Sequence, residues 1–429
     1  MQASLATEWT PSDDFATWTY TIRDDVTFSN GNPLTAADVA FTYSTILATP
    51  DSDNLGYMRV LESAEAVDDT TVVFHLNAPF SPWPSITTAI SIVPEDVYTE
   101  LGSEGFAAAP IGSGPFTFVK WTRGVEYVLK SNPDYWGKVP EVGTVTFQTV
   151  GDAEARLNGV ASGSLDIALI SPNQVDSLSG NSAVTVASRA SNGVTFLGMN
   201  STSGPLADPR IRQAIWLAID KESIVSSVLS GRGVANEQVV APDVTGYADG
   251  VDAPEYDPAA AKKLLAEAGY AGESIPFEYA TEGRIPLSSE IAQAIGGYLT
   301  EVGITVELKG MDQASLSNII YGTVNAAGIF MNTWAPSTMD GDMPVTNLFG
   351  GGQNDYAANA EMAALVAAQR TVAGQDRVAV FQQLAQMNVD NAFINPLFTP
   401  DADYAVNSDI NWKPRADGEF VLSDITFTK

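Results

Sequence analysis

The chain has 429 residues and a formal net charge of −31, which excludes it as a binder of nucleic acid or of anionic lipid surfaces. Hydrophobic residues make up 45% of the sequence and charged residues 17%, which is typical of a globular protein with two to three domains of about 150 residues each. No stretch approaches the ~18 consecutive apolar residues of a membrane span, and the absence of cysteine excludes disulfides, thiolate catalysis and cysteine-ligated zinc.

The pattern of residues 1–110 predicts a small α+β domain. Alternating residues favour a hairpin over 17–28, and Thr35 with Asp38 has the spacing of a capping box at the start of a helix. Another strand is expected over 70–76.

The next block predicts sheet structure with one helix, over 153–162, and ends in the apolar strand 194–199 that leads into the following block. Its other expected strands are 116–121, 127–130, 142–150, 167–170 and 184–187.

The third block alternates helices and strands. Asp208 is an N-cap with Pro209 at the first helical position, and the apolar spacing predicts a single helix that ends at Gly231 as its C′ residue. Asp257-Pro258 repeats this start for a second helix. Because a helix at 287–302 separates two strands, we expect parallel pairing in an α/β layer. The remaining expected elements are strands at 275–279, 304–309 and 424–428 and helices at 361–370 and 377–390.

Five segments resemble, in the same order, recurrent blocks of the solute-binding proteins of peptide-type ABC importers, the dipeptide- and oligopeptide-binding proteins of extracellular solute-binding protein family 5. They are WTYTIRDDVTFSNGNPLTAADVAFTYSTIL, GSGPFTFVKWTRG, NPDYWGKVP, ARLNGVASGSLDIAL and, after Asn200, ADPRIRQAIWLAIDKESIV. The resemblance implies a periplasmic-binding-protein-like α/β fold of two lobes with a hinge and an extra small α+β domain. The implied domains are 1–110 for the small domain, 111–204 plus 405–429 for lobe I, and 205–404 for lobe II.

The resemblance also implies a function. The chain is expected to be a monomeric, extracytoplasmic component of an ABC importer, in the periplasm or at the cell surface. It would capture peptides by hinge closure and deliver them to the transmembrane permease subunits. The family also includes carriers of oligosaccharides and other uncharged solutes, and this alternative stays open.

The beginning of the sequence lacks the basic and apolar regions of a signal peptide. Residues 4–14 resemble a segment that in the family follows the export signal and the first strands of lobe I. Compared with the family, the chain therefore begins late, and a fragment, a mis-set start and a real departure from the family are the alternatives. If the first strands of lobe I are missing, we expect an unpaired, association-prone sheet edge, and we expect any lipid anchor to belong to the full-length form.

The sequence offers no group of side chains for nucleophilic catalysis. His75 is the only histidine, and alternation places it on the solvent face of its strand, so His-based triads and metal clusters are excluded and nickel and haem carriers are disfavoured. Adjacent acids such as Asp24-Asp25 lie at turns and point apart, unlike the facing carboxylates of a glycosidase. We expect no enzyme, cofactor or metal; an acid-pair hydrolase is the competing class.

A candidate binding loop follows Trp334, which ends an apolar strand. An aromatic residue followed by acids at the end of a strand in an α/β lobe suits a ligand cleft. In the peptide-binding relatives such a loop lines the cleft and an aspartate meets the ligand's amino group, which implies Asp340 by its spacing. Loss of Asp340 would then weaken binding without lowering the melting temperature of the free protein. The alternative is that Trp334 packs between elements and the acids form turns.

Arg284 follows the strand 275–279 and could donate two hydrogen bonds to a ligand carboxylate, although a surface role is the alternative. The predicted ligand-binding residues are Trp334, Asp340, Asp342, Asn347, Phe349 and Arg284.

Overall fold

The structure is a computed structural model that describes residues 2–352 and 355–428. Its strands are β1 (Ala6–Pro11), β2 (Thr17–Ile22), β3 (Leu61–Ala66), β4 (Thr71–Leu76), β5 (Phe116–Thr122), β6 (Glu126–Ser131), β7 (Thr144–Gln148), β8 (Ile167–Ile170), β9 (Val184–Ala190), β10 (Val194–Met199), β11 (Gly233–Ala235), β12 (Ile275–Ala280), β13 (Val306–Met311), β14 (Ile329–Trp334), β15 (Ile394–Asn407), β16 (Ile410–Asn411) and β17 (Thr426–Phe427). Its α-helices are α1 (Ala36–Ala48), α2 (Trp83–Thr87), α3 (Glu95–Ala108), α4 (Ala153–Ser162), α5 (Pro209–Ala218), α6 (Lys221–Ser227), α7 (Pro258–Ala268), α8 (Ser288–Val302), α9 (Gln313–Ser317), α10 (Asp342–Phe349), α11 (Ala360–Ala368) and α12 (Gly374–Asn391). Among the described residues, no helix is both long enough and apolar enough to cross a membrane.

The chain separates into two compact units. Unit 1 comprises Met1–Gly159, Asn407–Trp412 and Phe420–Lys429, and unit 2 comprises Val160–Val406 and Lys413–Glu419. The division into a small domain and two lobes stays a prediction.

Unit 1 contains a four-stranded antiparallel sheet in the order β1-β2-β4-β3, with α1 beside β3 and β4. The alternation in β2 buries Trp18 and Tyr20 while the intervening threonines face outward, as the sequence predicts. The predicted capping box between Thr35 and Asp38 forms at the start of α1. A separate antiparallel sheet in the order β5-β6-β7 and a short β16-β17 pair also belong to this unit.

Unit 2 is built on a mixed sheet in the order β11-β15-β10-β14-β12-β13, and β8 and β9 pair with β15. The pairs β12–β13 and β12–β14 are parallel, which confirms the pairing expected from the strand–helix–strand order. The pairs of β10 with β14 and with β15 are antiparallel.

The central strand β10 is buried on both faces and separates two apolar cores. Leu197 belongs to the core that contains α5, α7 and α8, whereas Phe196 belongs to the core that contains α10 and α12. Gly198 lies opposite Phe330 of β14, and a Cβ atom there would lie 2.0 Å from the Phe330 ring. Close approach of the two strands therefore requires a glycine at this position.

The single helix predicted from Pro209 to Gly231 is wrong. The structure has two helices, α5 and α6, because the side chain of Asp220 accepts a hydrogen bond from the backbone N–H of Ser223 and starts a new helix. The caps predicted at Asp208 and Asp257 are present, and each side chain accepts a hydrogen bond from a backbone N–H in the first turn.

Candidate ligand-binding site

The candidate site lies in unit 2, at the edge where three parallel strands end. Because β12, β13 and β14 run in the same direction, their last residues, Ala280, Met311 and Trp334, lie along one edge of the sheet. The backbone N–H of Thr281 donates to the carbonyl of Met311 at 2.8 Å and ties the first two strand ends together. Loops at the carboxyl ends of parallel strands are the usual place for ligand binding in α/β layers.

A buried amide marks this edge. Asn332 lies two residues before Trp334 on the same face of β14 and is 3% exposed. Its Nδ2 donates to the hydroxyl oxygen of Tyr321, which lies in the π-helical turn Asn318–Gly322. Burial raises the pKa of Tyr321, and the hydrogen bond from Asn332 and the charge of Arg284 oppose that rise.

Arg284 lies at the same edge, in the exposed loop after β12. Gly283 holds the loop close to α9, because a Cβ atom there would lie 3.0 Å from Oε1 of Gln313 and its φ is +121°. Arg284 and Trp334, which the sequence predicts, thus lie at the same sheet edge as Tyr321 and Asn332, which the sequence does not predict.

The loop after Trp334 is held from one side by buried polar contacts. Nδ2 of Asn192 donates to the carbonyl of Pro336 at 2.8 Å. The backbone of Gly341 donates to the carbonyl of Thr245 at 2.8 Å.

Asp340 ends this loop as part of a buried ion pair. It is 2% exposed, and its two carboxylate oxygens accept from Nη1 and Nη2 of Arg377 at 2.7 and 2.6 Å. Oδ1 also accepts the backbone N–H of Asp342 at 2.8 Å. Arg377 lies in α12 and is 7% exposed, so both charges are out of water.

Asp342 forms a second pair beside the first. As the first residue of α10, it accepts from Nε of Arg370 at 2.6 Å and from Nη2 of the same arginine at 3.2 Å. The amide of Gln369 also donates to it.

These contacts change the argument for the two acids. The family resemblance implies that Asp340 meets a ligand ammonium, and Asp342 is predicted to bind ligand beside it, but in the structure each is already bound to an arginine of the same unit. Ligand contact by either residue stays a prediction. The expectation that Asp340 can be removed without loss of stability is replaced by its opposite, because a buried arginine would lose its partner.

Two other predicted ligand-binding residues, Asn347 and Phe349, lie inside α10 and not on the loop. Asn347 is half-buried, and its Nδ2 donates to the carbonyl of Met343 at 2.9 Å. Phe349 is buried in the core that contains α12. Their contacts in the structure are helix and core contacts, and their role in ligand binding stays a prediction.

Within residues 2–352 and 355–428, no group of three or more His, Cys, Asp or Glu side chains could hold a metal ion. Tyr321 and Asn332 were missed because neither stands out in a sequence scan. The one available signal is an asparagine inside an otherwise apolar strand, since a buried amide needs a hydrogen-bond partner.

Comparison with known proteins defines the family. Residues 1–356 match the family model of bacterial extracellular solute-binding proteins, family 5 middle domain. The chain is 28% identical to the probable D,D-dipeptide-binding periplasmic protein DdpA of Escherichia coli K12, over 96% of this chain and 81% of the relative. It is 26% identical to the nickel-binding periplasmic protein of the same organism, over 73% of this chain and 63% of the relative.

The fold is shared with solved structures. The ABC transporter substrate-binding protein CtaP of Listeria monocytogenes superposes with a TM-score of 0.89 at 26% identity, covering 99% of this chain and 90% of that protein. This confirms the predicted mixed α/β periplasmic-binding-protein fold, and the family consists of binding proteins without enzymatic activity, as the sequence predicts. Because the family model matches most of its length, this chain belongs to the bacterial extracellular solute-binding proteins of family 5.

Proposed function

We propose that this chain is the substrate-binding component of an ABC importer, that its cargo is a peptide, and that the edge formed by Arg284, Tyr321, Asn332 and Trp334 contacts that cargo. The observation that carries the proposal is the position of an aromatic ring, a buried amide and an exposed arginine at the carboxyl ends of parallel strands. Family membership supports the importer role. The name of DdpA supports a peptide as the cargo, and the name of CtaP supports a role with an ABC transporter.

The charges at this edge favour recognition of the carboxylate end of a peptide. Both Asp340 and Asp342 are neutralised by arginines of the chain, whereas Arg284 lies on the exposed loop after β12. A guanidinium binds a carboxylate through two parallel hydrogen bonds. An ammonium group, in contrast, would have to join an aspartate–arginine pair that is already formed.

Delivery to the permease completes the proposal. The lobes would be those that the sequence predicts, with lobe I and the small domain on one side of the hinge and lobe II on the other. They would close on the peptide by a hinge motion, and the closed form would dock on the transmembrane subunits. A ligand drives such closure only by its differential affinity for the closed state. A lipid anchor at the cell surface belongs to the same proposal.

A metal chelate is the second candidate cargo, because a relative of this chain is named for nickel binding. A metal that is already coordinated by a small molecule needs few ligands from the protein, so a single histidine is no obstacle. An uncharged oligosaccharide is the third.

The test combines identification of the natural cargo with a charge-specific variant. Native mass spectrometry of protein purified from its own cells identifies what is bound, and calorimetry compares alanyl-alanine, its C-terminal amide, a nickel–histidine chelate and maltotriose. Loss of a charge-assisted hydrogen bond costs about 1.5–3 kcal/mol, or roughly tenfold to a hundredfold in affinity. Arg284→Gln should therefore weaken the binding of alanyl-alanine by that factor and leave the affinity for its amide nearly unchanged.

Arg189→Gln is the matched control, because Arg189 is also an exposed arginine of unit 2 and pairs with Asp243 at 2.5 Å. It should leave both affinities unchanged. If Arg284→Gln weakened the binding of alanyl-alanine and of its amide equally, the carboxylate contact would be contradicted. A co-purified chelate or sugar would overturn the proposal that the cargo is a peptide.

A further inference from the structure

A continuous polar network lies behind the loop between β14 and α10. Gln369, which is 0% exposed, links the two ion pairs. Its Oε1 accepts from Nε of Arg377 at 2.9 Å, and its Nε2 donates to Asp342. The network runs from Asp340 through Arg377 and Gln369 to Asp342 and Arg370, and we name these five residues the loop brace.

The loop brace is electrically balanced. It contains two aspartates and two arginines joined by a neutral amide, so it has no excess charge to offer a ligand. Arg370 is also satisfied through Nη2, which donates to Oγ1 of Thr346 at 2.8 Å, and the Arg377 guanidinium lies 5.1 Å from the centre of the Phe381 ring. Replacing a buried pair by apolar residues is often neutral for stability, and buried charges can instead specify one conformation.

The brace contacts both ends of the transition from loop to helix. Asp340 closes the loop, and its Oδ1 accepts the N–H of Asp342, the first residue of α10. The loop itself has an irregular backbone, with Met339 at a φ of +52°. A non-glycine residue in this region persists only where surrounding contacts hold it.

We infer that the loop brace fixes the backbone between Trp334 and α10, and that Arg377 is a positioning residue for ligand binding. The effect of Arg377 on ligand binding rests on the proposed function, but the fixing of the loop is a property of the ligand-free protein. It competes with the idea that Asp340 meets a ligand ammonium directly. The two ideas predict opposite results when Arg377 is removed, because that change takes the competing arginine away from the Asp340 carboxylate but also releases the loop.

The first measurement needs no ligand. Hydrogen–deuterium exchange by mass spectrometry follows the amides of residues 335–342 in Arg377→Met and in wild type. Because the loss of one partner of a buried pair lowers the free energy of local opening, we expect exchange of these amides to rise on the order of a hundredfold. Peptides from β10 and α8 should exchange as in wild type.

Arg212→Met is the matched control. Arg212 is also a buried arginine of unit 2, but it donates to the carbonyls of Asn391 and Leu206 and not to the brace. It should raise exchange near α5 and the end of α12 and leave residues 335–342 unchanged. Gln369→Leu, which keeps both ion pairs but removes the link between them, covers the case in which Arg377→Met does not fold. It should raise loop exchange severalfold.

The second measurement separates this inference from the proposed function. Calorimetry with alanyl-alanine should show weaker binding in Arg377→Met by at least about tenfold, and no loss in Arg212→Met. Loop exchange equal to wild type in both Arg377→Met and Gln369→Leu overturns the brace, and binding as tight as wild type or tighter in Arg377→Met overturns the positioning role. If wild type does not bind alanyl-alanine, the peptide proposal fails while the exchange result still decides the brace.

Discussion

Replacing Asp340 by leucine should destabilise unit 2 strongly. Asp340 and Arg377 are 2% and 7% exposed, and the substitution leaves the guanidinium buried without its bidentate partner. Breaking a buried pair in this way costs about 3–5 kcal/mol. At about 2–4 °C for each kcal/mol in a unit of this size, the melting temperature should fall by roughly 6–20 °C.

A double-mutant cycle separates this effect from general damage to the core. Urea unfolding, followed by tryptophan fluorescence and circular dichroism, gives the free energy of unfolding of Asp340→Leu, Arg377→Met and the double variant. The double variant removes both charges, so we expect it to be more stable than either single variant, with a coupling energy of about 2 kcal/mol or more. Lys263→Ala is the control, since the Lys263–Glu267 pair is exposed and such pairs contribute about 0–1 kcal/mol. A cost of less than about 1 kcal/mol for Asp340→Leu, or strict additivity in the cycle, would refute the reasoning.

Two further predictions concern the sheet of unit 2. Burial raises the pKa of Glu278 above its ordinary value of 4.5, so the folded state keeps this proton to higher pH than the unfolded state. The stability of the protein therefore falls as pH rises from the pKa of the unfolded state through the pKa of the folded state. Glu278→Gln should therefore be more stable than wild type at about pH 7 and lose this advantage near about pH 4; a pH-independent difference in urea midpoint would contradict the shift. Gly198→Ala should destabilise the protein by about 1–3 kcal/mol because its Cβ would meet the Phe330 ring. Adding Phe330→Leu to Gly198→Ala should recover part of that loss. A melting temperature unchanged by Gly198→Ala would show that the two strands can separate at no cost.

Short-range signals predicted most of the elements. The capping box at Thr35, the caps at Asp208 and Asp257 and the alternation in β2 depend on residues only a few positions apart, so the sequence contains all the information needed. The same rules failed where two local signals compete. The apolar spacing runs through Asp220, but its side chain caps the next turn and divides the expected helix into α5 and α6.

Resemblance and alternation also determined the family, the fold class and the position of the candidate loop, because these depend on ordered motifs and on the order of strands and helices. What the sequence could not determine is the state of each polar side chain in the site. Asp340 looks like any loop acid until α12 brings Arg377 to it from 37 positions away, and the hydrogen-bond partner of Asn332, Tyr321, lies in a different element. Whether a charge is available to a ligand or already neutralised depends on partners distant in sequence, and only the tertiary structure brings those partners within hydrogen-bonding distance.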